Sequence, residues 1–146
     1  MTYRADSKSG FDLFEHAADV GVRGWGPGLP EAFVQAAKAL FSLMVDDLQS
    51  VRPIKAIPIT ARGYDRESLL VAWLNALLTA SDVHSLLFTH FEVSLEQGFS
   101  LHGQAQGEPF AAHRQEQGLE VKGATFCQVG VYEQEGVWVA QCVVDV

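Results

Sequence analysis

Two aspartates are the strongest candidates for chemistry in this sequence. Asp145 and Val146 end it, so that a side-chain carboxylate stands beside an α-carboxylate. Asp19 lies in a segment bounded by glycine, residues 16–21 (HAADVG). These donors are all hard oxygens, which suit Ca²⁺ or Mg²⁺ and argue against zinc. Because calcium tolerates irregular geometry best, we expect Ca²⁺, or another divalent cation, to be held by Asp19, Asp145 and Val146.

A plainer interpretation gives the two aspartates ordinary structural roles. Asp19 would accept backbone hydrogen bonds within its turn, and Asp145 would be a solvated charge at the end of a strand. The residue types alone favour this interpretation. A cation site requires in addition that the fold bring the two carboxylates together.

Lys122 is expected near the same group of carboxylates. A two-residue hairpin loop at 134–135 would pair Ala124 with Asp145 across two antiparallel strands. Lys122 would then lie just beyond the terminal carboxylate, where its ammonium group offsets part of the negative charge.

The same register places Cys127 opposite Cys142. Opposed cysteines can form a strained cross-strand disulfide or remain two packed thiols. No export signal precedes them, so we expect both thiols to be reduced, and their role stays open.

His16 is the one local candidate for a catalytic base, because Asp19 follows it closely enough to orient its ring. No Ser or Cys nucleophile lies in a recognisable elbow, and no glycine-rich phosphate loop is present. A capping or packing role for His16 is therefore favoured over catalysis. The other histidines show no metal-ligand spacing: His84, His90, His102 and His113.

Two helices and about seven strands are predicted to position these residues. Apolar residues at helical spacing predict one helix from Pro30 to about Asp46 and another from Asp65, as its N-cap, to Ala80. Alternating or continuous apolar runs predict the strands, at 11–15, 20–26, 53–62, 86–96, 99–108, 119–132 and 137–146. This order has too few crossovers for a parallel sheet. We expect an α+β fold, an antiparallel sheet or sandwich with both helices packed on one side.

Composition sets the remaining bounds. The 146 residues are 48% hydrophobic and 19% charged, which fits one domain at 11–146 behind a disordered lead-in at 1–10. No apolar signal or membrane span is apparent, so a cytoplasmic protein is expected. The net charge of −8, with only ten Lys and Arg, disfavours strong direct binding of nucleic acid. Pro53 and Pro58 blunt a strand edge, which favours a monomer.

Five segments together resemble the archease family in order and spacing, from residue 11 to residue 146. They are residues 16–21 (HAADVG), 31–44 (EAFVQAAKALFSLM), 69–78 (LLVAWLNALL), 121–126 (VKGATF) and 143–146 (VVDV). Two positions depart from the family pattern. Ala17 stands where threonine is usual, and Cys127 where histidine is common.

The resemblance implies a protein cofactor and not an enzyme. Archeases assist the RtcB-type RNA ligase of tRNA splicing and RNA repair, by promoting its guanylylation and repeated turnover. The family's metal, usually calcium, implies Asp19, Asp145 and Val146 as ligands, with Lys122 and His16 as functional neighbours. The alternatives are a chaperone or general interaction module without a ligase role, and a hydrolase built on His16.

Overall fold

The computed structural model describes residues 8–116 and 118–146. Residues 1–7 of the expected lead-in lie outside the described residues. The described part forms two helices, α1 (Leu29–Ser42) and α2 (Arg66–His84), with short 3₁₀ segments at Leu48–Ser50 and Phe110–Glu116. Its strands are β1 (Gly10–His16), β2 (Asp19–Gly26), β3 (Lys55–Arg62), β4 (Leu86–Glu96), β5 (Ser100–Pro109), β6 (Gly123–Ala124), β7 (Gly130–Gln134) and β8 (Val137–Asp145).

The strands form two antiparallel sheets. The larger has the order β1-β2-β8-β6, with β7 also paired to β8, and the smaller has the order β3-β5-β4. Strand β3, which contains Pro58, lies at the edge of its sheet as predicted. The α+β prediction is confirmed.

Helix α1 packs mainly against β2 of the larger sheet and β4 of the smaller sheet, and α2 packs mainly against β3 of the smaller sheet. Ala140, Cys142 and Val144 of β8 belong to the same buried cluster as the apolar faces of the helices and of the smaller sheet. The largest side chains that are fully buried come from all of these elements, among them Trp73, Phe33, Phe41, Phe88 and Leu70. The core is therefore a layer of side chains between the two sheets and the helices.

Helix α1 lies very close to strand β2. A Cβ atom on Gly24 would come within 2.1 Å of the backbone nitrogen of Ala36, so only glycine permits this distance. The helix ends at Ser42, before the predicted end near Asp46. Beyond it, the carbonyl oxygens of Leu43 and Met44 accept hydrogen bonds from Leu119 and Gly118, and this pairing replaces further helical turns.

Helix α2 begins at the predicted cap. The carboxylate of Asp65 accepts a hydrogen bond from the backbone nitrogen of Ser68 at 2.7 Å, and the Ser68 hydroxyl accepts in return from the Asp65 nitrogen. The hydrogen bond from the Ser68 backbone, followed by the interaction with the Ser68 side chain, lowers the pKa of Asp65. The helix runs four residues past the predicted Ala80 and ends where Ser85 takes a left-handed conformation, with φ of 55°. None of the helices in the described residues has the length and apolarity needed to cross a membrane.

The predicted strand at 119–132 is wrong as a single element. Gly118 and Leu119 pair with the residues that follow α1, β6 is only two residues long, and a turn with Gln128 at φ 54° separates it from β7. The hydrogen bonds from Gly118 and Leu119 to the end of α1 divert the chain before it reaches the sheet.

The predicted hairpin register is also wrong. The loop is Glu135–Gly136, where both residues have positive φ, 55° and 79°, and Gln134 pairs with Val137. Cys127 therefore does not face Cys142. Cys142 is buried and Cys127 is exposed, and both are free thiols.

Candidate cation site at one end of the larger sheet

Strand pairing brings the two predicted aspartates together. Val20 pairs with Val144, and one further step of this antiparallel register places Asp19 opposite Asp145. The Oδ1 atom of Asp19 accepts a hydrogen bond from the backbone nitrogen of Val146 at 3.4 Å. Residues 127 positions apart in the sequence thus meet at one end of β2 and β8.

The aspartates lie on the sheet face that turns away from the helices. Val144 is fully buried on the helix side, and side chains alternate along a strand, so the next residue, Asp145, points to the opposite face. Asp145 is exposed and Asp19 is half-buried. The carboxylates are accordingly open to solvent.

A tight turn fixes Asp19. His16 and Asp19 are cross-strand partners, joined by the two residues Ala17 and Ala18. Ala17 has a φ of 52°, in the left-handed region that the turn requires. The functional segment predicted from the sequence is therefore a hairpin turn between β1 and β2.

Lys122, the residue before strand β6, approaches the same end of the sheet. Its backbone nitrogen donates a hydrogen bond to the carbonyl oxygen of Asp145 at 2.8 Å, and Gly123 pairs with Asp145. One more step of the register places Lys122 opposite Val146 and on the same face as that residue. The side chain of Lys122 is exposed.

Asn75 ties this end of the sheet to α2, and sequence reasoning missed it. Its Nδ2 atom donates to the carbonyl oxygen of Ala124 at 3.1 Å, and its Oδ1 atom accepts from the Ala124 nitrogen at 2.9 Å. The signal was a polar residue that interrupts the apolar run 69–78. This paired contact holds the short strand β6 beside Asp145.

The corner formed by Asp19, Asp145 and Val146 offers oxygen donors alone. Within residues 8–116 and 118–146, no group of three or more His, Cys, Asp or Glu side chains is placed to hold a metal ion. The corner has two carboxylates, and any further donor from it must be a main-chain oxygen. This set suits a hard cation such as Ca²⁺, which completes its shell with water.

His16 contacts a cysteine. Its Nε2 atom lies 3.5 Å from the Sγ atom of Cys127. The second cysteine, Cys142, is different, because burial raises the pKa of its thiol to about 12. Cys127 is thus the accessible thiol of the two.

A second charged cluster lies away from the corner. Glu108, only 2% exposed, is 2.7 Å from His113 through its Oε2 atom and accepts two hydrogen bonds from Arg52. The contact with His113, followed by the Arg52 backbone amide, lowers the pKa of Glu108 to about 2. The cluster was not foreseen, because Arg52 lies 56 residues from Glu108 and nothing around Glu108, at the end of the predicted strand 99–108, marks it as buried.

The fold is shared with small α+β proteins of solved structure. The solution structure of Methanobacterium thermoautotrophicum protein 1598 matches with a TM-score of 0.76 at 34% identity, over 94% of this chain and 99% of that one. A crystal structure from Thermotoga maritima, described as an archease and possible chaperone, matches with a TM-score of 0.62 at 15% identity, over 91% and 94% of the two chains. At that identity, the second structure shows the fold alone.

Sequence comparison identifies the family. The model of the Archease protein family (MTH1598/TM1083) matches residues 11–146. Protein archease of Sulfurisphaera tokodaii is 36% identical over 137 residues, which cover 93% of this chain and 98% of the relative. Protein archease of Pyrococcus furiosus is 38% identical over 140 residues, with coverage of 93% and 98%. This chain belongs to the archease family, as its motifs predicted.

Proposed function

We propose that this protein is a non-enzymatic cofactor of an RtcB-type RNA ligase. In this role it promotes guanylylation of the ligase and repeated turnover, in tRNA splicing or RNA repair in the cytoplasm. The observation that carries the proposal is the meeting of Asp19, Asp145 and Val146 at one end of the larger sheet. Family membership supports it independently.

A divalent cation, with calcium as the first candidate, is proposed to bind at this corner. Asp19 and Asp145 supply carboxylates and Val146 supplies main-chain oxygen, so the bound ion offsets their mutual repulsion. The turn at His16 and the β6–α2 contact through Asn75 hold the donors in place. Lys122, just before β6, lies on the face of Val146 and not on that of the two carboxylates, and it adds a positive charge at this end of the sheet.

The acidic character of the chain supports a protein partner over a nucleic acid. A net charge of −8 favours association with a basic protein surface and repels phosphate. We therefore place the ligase, and not its RNA substrate, against the corner. The protein acts in this scheme as a monomer.

The test compares Asp19→Asn and Asp145→Asn with Glu133→Gln, an exposed carboxylate on β7 that undergoes the same loss of charge. Calcium binding is measured by calorimetry, and ligase guanylylation is measured with labelled GTP. Both corner variants should lose at least about tenfold in calcium affinity, or 1.4 kcal/mol, together with the stimulation of the ligase. Glu133→Gln should retain both.

Two results would contradict the proposal. One is full stimulation by Asp145→Asn, which would separate the corner from the activity. The other is a wild-type protein that leaves the ligase unchanged but protects unrelated proteins from aggregation, which would favour a chaperone. Circular dichroism of each variant distinguishes loss of function from loss of fold.

A further inference from the structure

His16 and Cys127 meet across the outer face of the larger sheet. His16 ends β1, at one edge of the sheet, and the strand order continues through β2 to β8. Cys127 lies on the side of β8 that faces away from β2, where its carbonyl oxygen accepts a hydrogen bond from the backbone nitrogen of Val143 at 3.0 Å. The 3.5 Å contact therefore reaches across β2 and β8, and the side chains of His16 and Cys127 must lie over the same face of the sheet.

Local hydrogen bonds fix the position of Cys127. Its backbone nitrogen donates to the hydroxyl of Thr125 at 3.2 Å, and that hydroxyl donates to the carbonyl oxygen of Val143 at 2.8 Å. The backbone of Thr125 also donates to the Val143 oxygen, at 3.0 Å. Strand β8 thus holds the thiol in place, and the β1–β2 turn holds the imidazole.

The separation of the two side chains matches that of zinc ligands. With Zn–S near 2.3 Å and Zn–N near 2.0–2.1 Å, a tetrahedral angle puts sulfur and nitrogen about 3.6 Å apart. The Sγ and Nε2 atoms are 3.5 Å apart, and each belongs to a side chain that solvent can reach. A metal ion can approach the pair with little rearrangement of either residue.

We infer that His16 and Cys127 form an open binding site for a borderline-soft divalent metal ion, Zn²⁺ in particular. Zinc binds the imidazole nitrogen through its lone pair and the sulfur as a thiolate, after the thiol loses its proton to solvent. No group of three or more His, Cys, Asp or Glu metal ligands exists in the described residues, so water or a donor from another molecule completes the shell. This thiolate–imidazole pair differs in chemistry from the oxygen donors of the corner, and it does not depend on the ligase role.

The His16–Cys127 site lies beside the corner, so a metal ion bound there should affect calcium binding at the corner. His16 is the cross-strand partner of Asp19, so a metal ion bound to the imidazole adds positive charge next to that carboxylate. Zinc on His16 and Cys127 should therefore weaken calcium binding at Asp19 and Asp145 through repulsion between the two cations.

The experiment uses Co²⁺ as a spectroscopic probe, because a cobalt–thiolate bond gives a charge-transfer absorption that oxygen ligands do not. The reduced wild-type protein is titrated with Co²⁺, and Zn²⁺ is then added to displace it. The variants are Cys127→Ser, His16→Gln and, as the matched control, Cys142→Ala, which removes the buried thiol instead. Wild type and Cys142→Ala should show the absorption, and zinc should abolish it.

Cys127→Ser should lose the absorption, and His16→Gln should bind Co²⁺ at least about tenfold more weakly. Calcium titrations of Cys127→Ser should match wild type, so a negative result for the zinc site can be distinguished from a negative result for the calcium site at the corner. No absorption in the wild type would show that the pair is only a hydrogen bond and would overturn the inference. The absorption surviving in Cys127→Ser would do the same.

Discussion

Glu108 is a buried carboxylate that stays ionised because of its partners. His113 lies 2.7 Å from one of its oxygens, and Arg52 donates to both oxygens, from its backbone nitrogen at 2.9 Å and its Nε atom at 3.1 Å. Without such partners, a charge only 2% exposed would be strongly unfavourable. The carboxylate therefore ties the 3₁₀ segment at Phe110–Glu116 to the chain that leads into β3.

Acid should weaken the protein through this residue. The folded pKa of Glu108, about 2, lies below its ordinary value of 4.5, so its stabilisation is complete above pH 4.5 and is lost as the pH falls towards 2. Glu108→Gln should lower the free energy of unfolding at neutral pH by roughly 1–3 kcal/mol and flatten its dependence on pH in that window. Urea unfolding at a series of pH values measures both effects.

Glu133→Gln is the control for this prediction, because Glu133 is exposed on β7. Its unfolding free energy should change little and should retain the wild-type decline in acid. A Glu108→Gln variant that declined as steeply as wild type between pH 4.5 and 2 would count against the assignment.

The sequence predicted some of these residues and missed others for a physical reason. Asp19, Asp145 and Val146 were candidates because their local segments are distinctive, and family resemblance linked them. Glu108 and Asn75 have unremarkable neighbours, and their partners lie 56 and 49 residues away. Contacts at such separations follow from tertiary packing, which a single sequence does not display.

Among the elements, β2 has the most demanding position. It lies between β1 and β8 in the larger sheet, supports α1 on one face and carries Asp19 at its start. Gly24 makes the approach of α1 possible, since a Cβ atom there would lie 2.1 Å from the nitrogen of Ala36 and 2.7 Å from the oxygen of Ala32. The helix backbone cannot yield as a flexible side chain would.

Gly24→Ala should therefore separate α1 from the sheet and lower the free energy of unfolding by roughly 1–3 kcal/mol or more. Gly130→Ala is the matched control, because a Cβ atom at Gly130 would meet only side-chain atoms, the nearest being Tyr132 at 3.4 Å. Thermal and urea unfolding compare the two variants. Equal losses in both would show that the close approach at Gly24 has no special cost.

The elements also show which local signals are dependable. The helices and long strands were predictable because their periodic patterns extend over many residues, and the cap at Asp65 was read correctly. The predicted loop of the last hairpin, 134–135, lies one residue before the observed loop, Glu135–Gly136, because Gly136 takes the positive φ of the second loop position. That small shift moved Cys127 away from Cys142 and left its thiol in the turn before β7.

For the whole molecule, the sequence predicted the class but not the division into sheets. Antiparallel pairing and two helices follow from the order of the elements and the lack of crossovers. Which strands share a sheet depends on long-range pairing, as between β2 and β8, whose partners Val20 and Val144 stand at opposite ends of the chain. The corner exists only because of this pairing.

The charge of the whole chain leads to a prediction about RNA. With a net charge of −8 and ten Lys and Arg residues, the protein has few cations with which to release counterions from phosphate. Labelled tRNA titrated with the protein alone, at about 0.15 M salt, should show no saturable change in fluorescence anisotropy, which corresponds to a Kd weaker than about 10⁻⁴ M. The ligase, titrated in parallel as the positive control, should bind the same RNA, and adding this protein should raise the ligase's turnover without a separate RNA-binding transition. Submicromolar binding of tRNA by this protein alone, weakening as salt rises, would contradict the prediction and place the RNA directly on its surface.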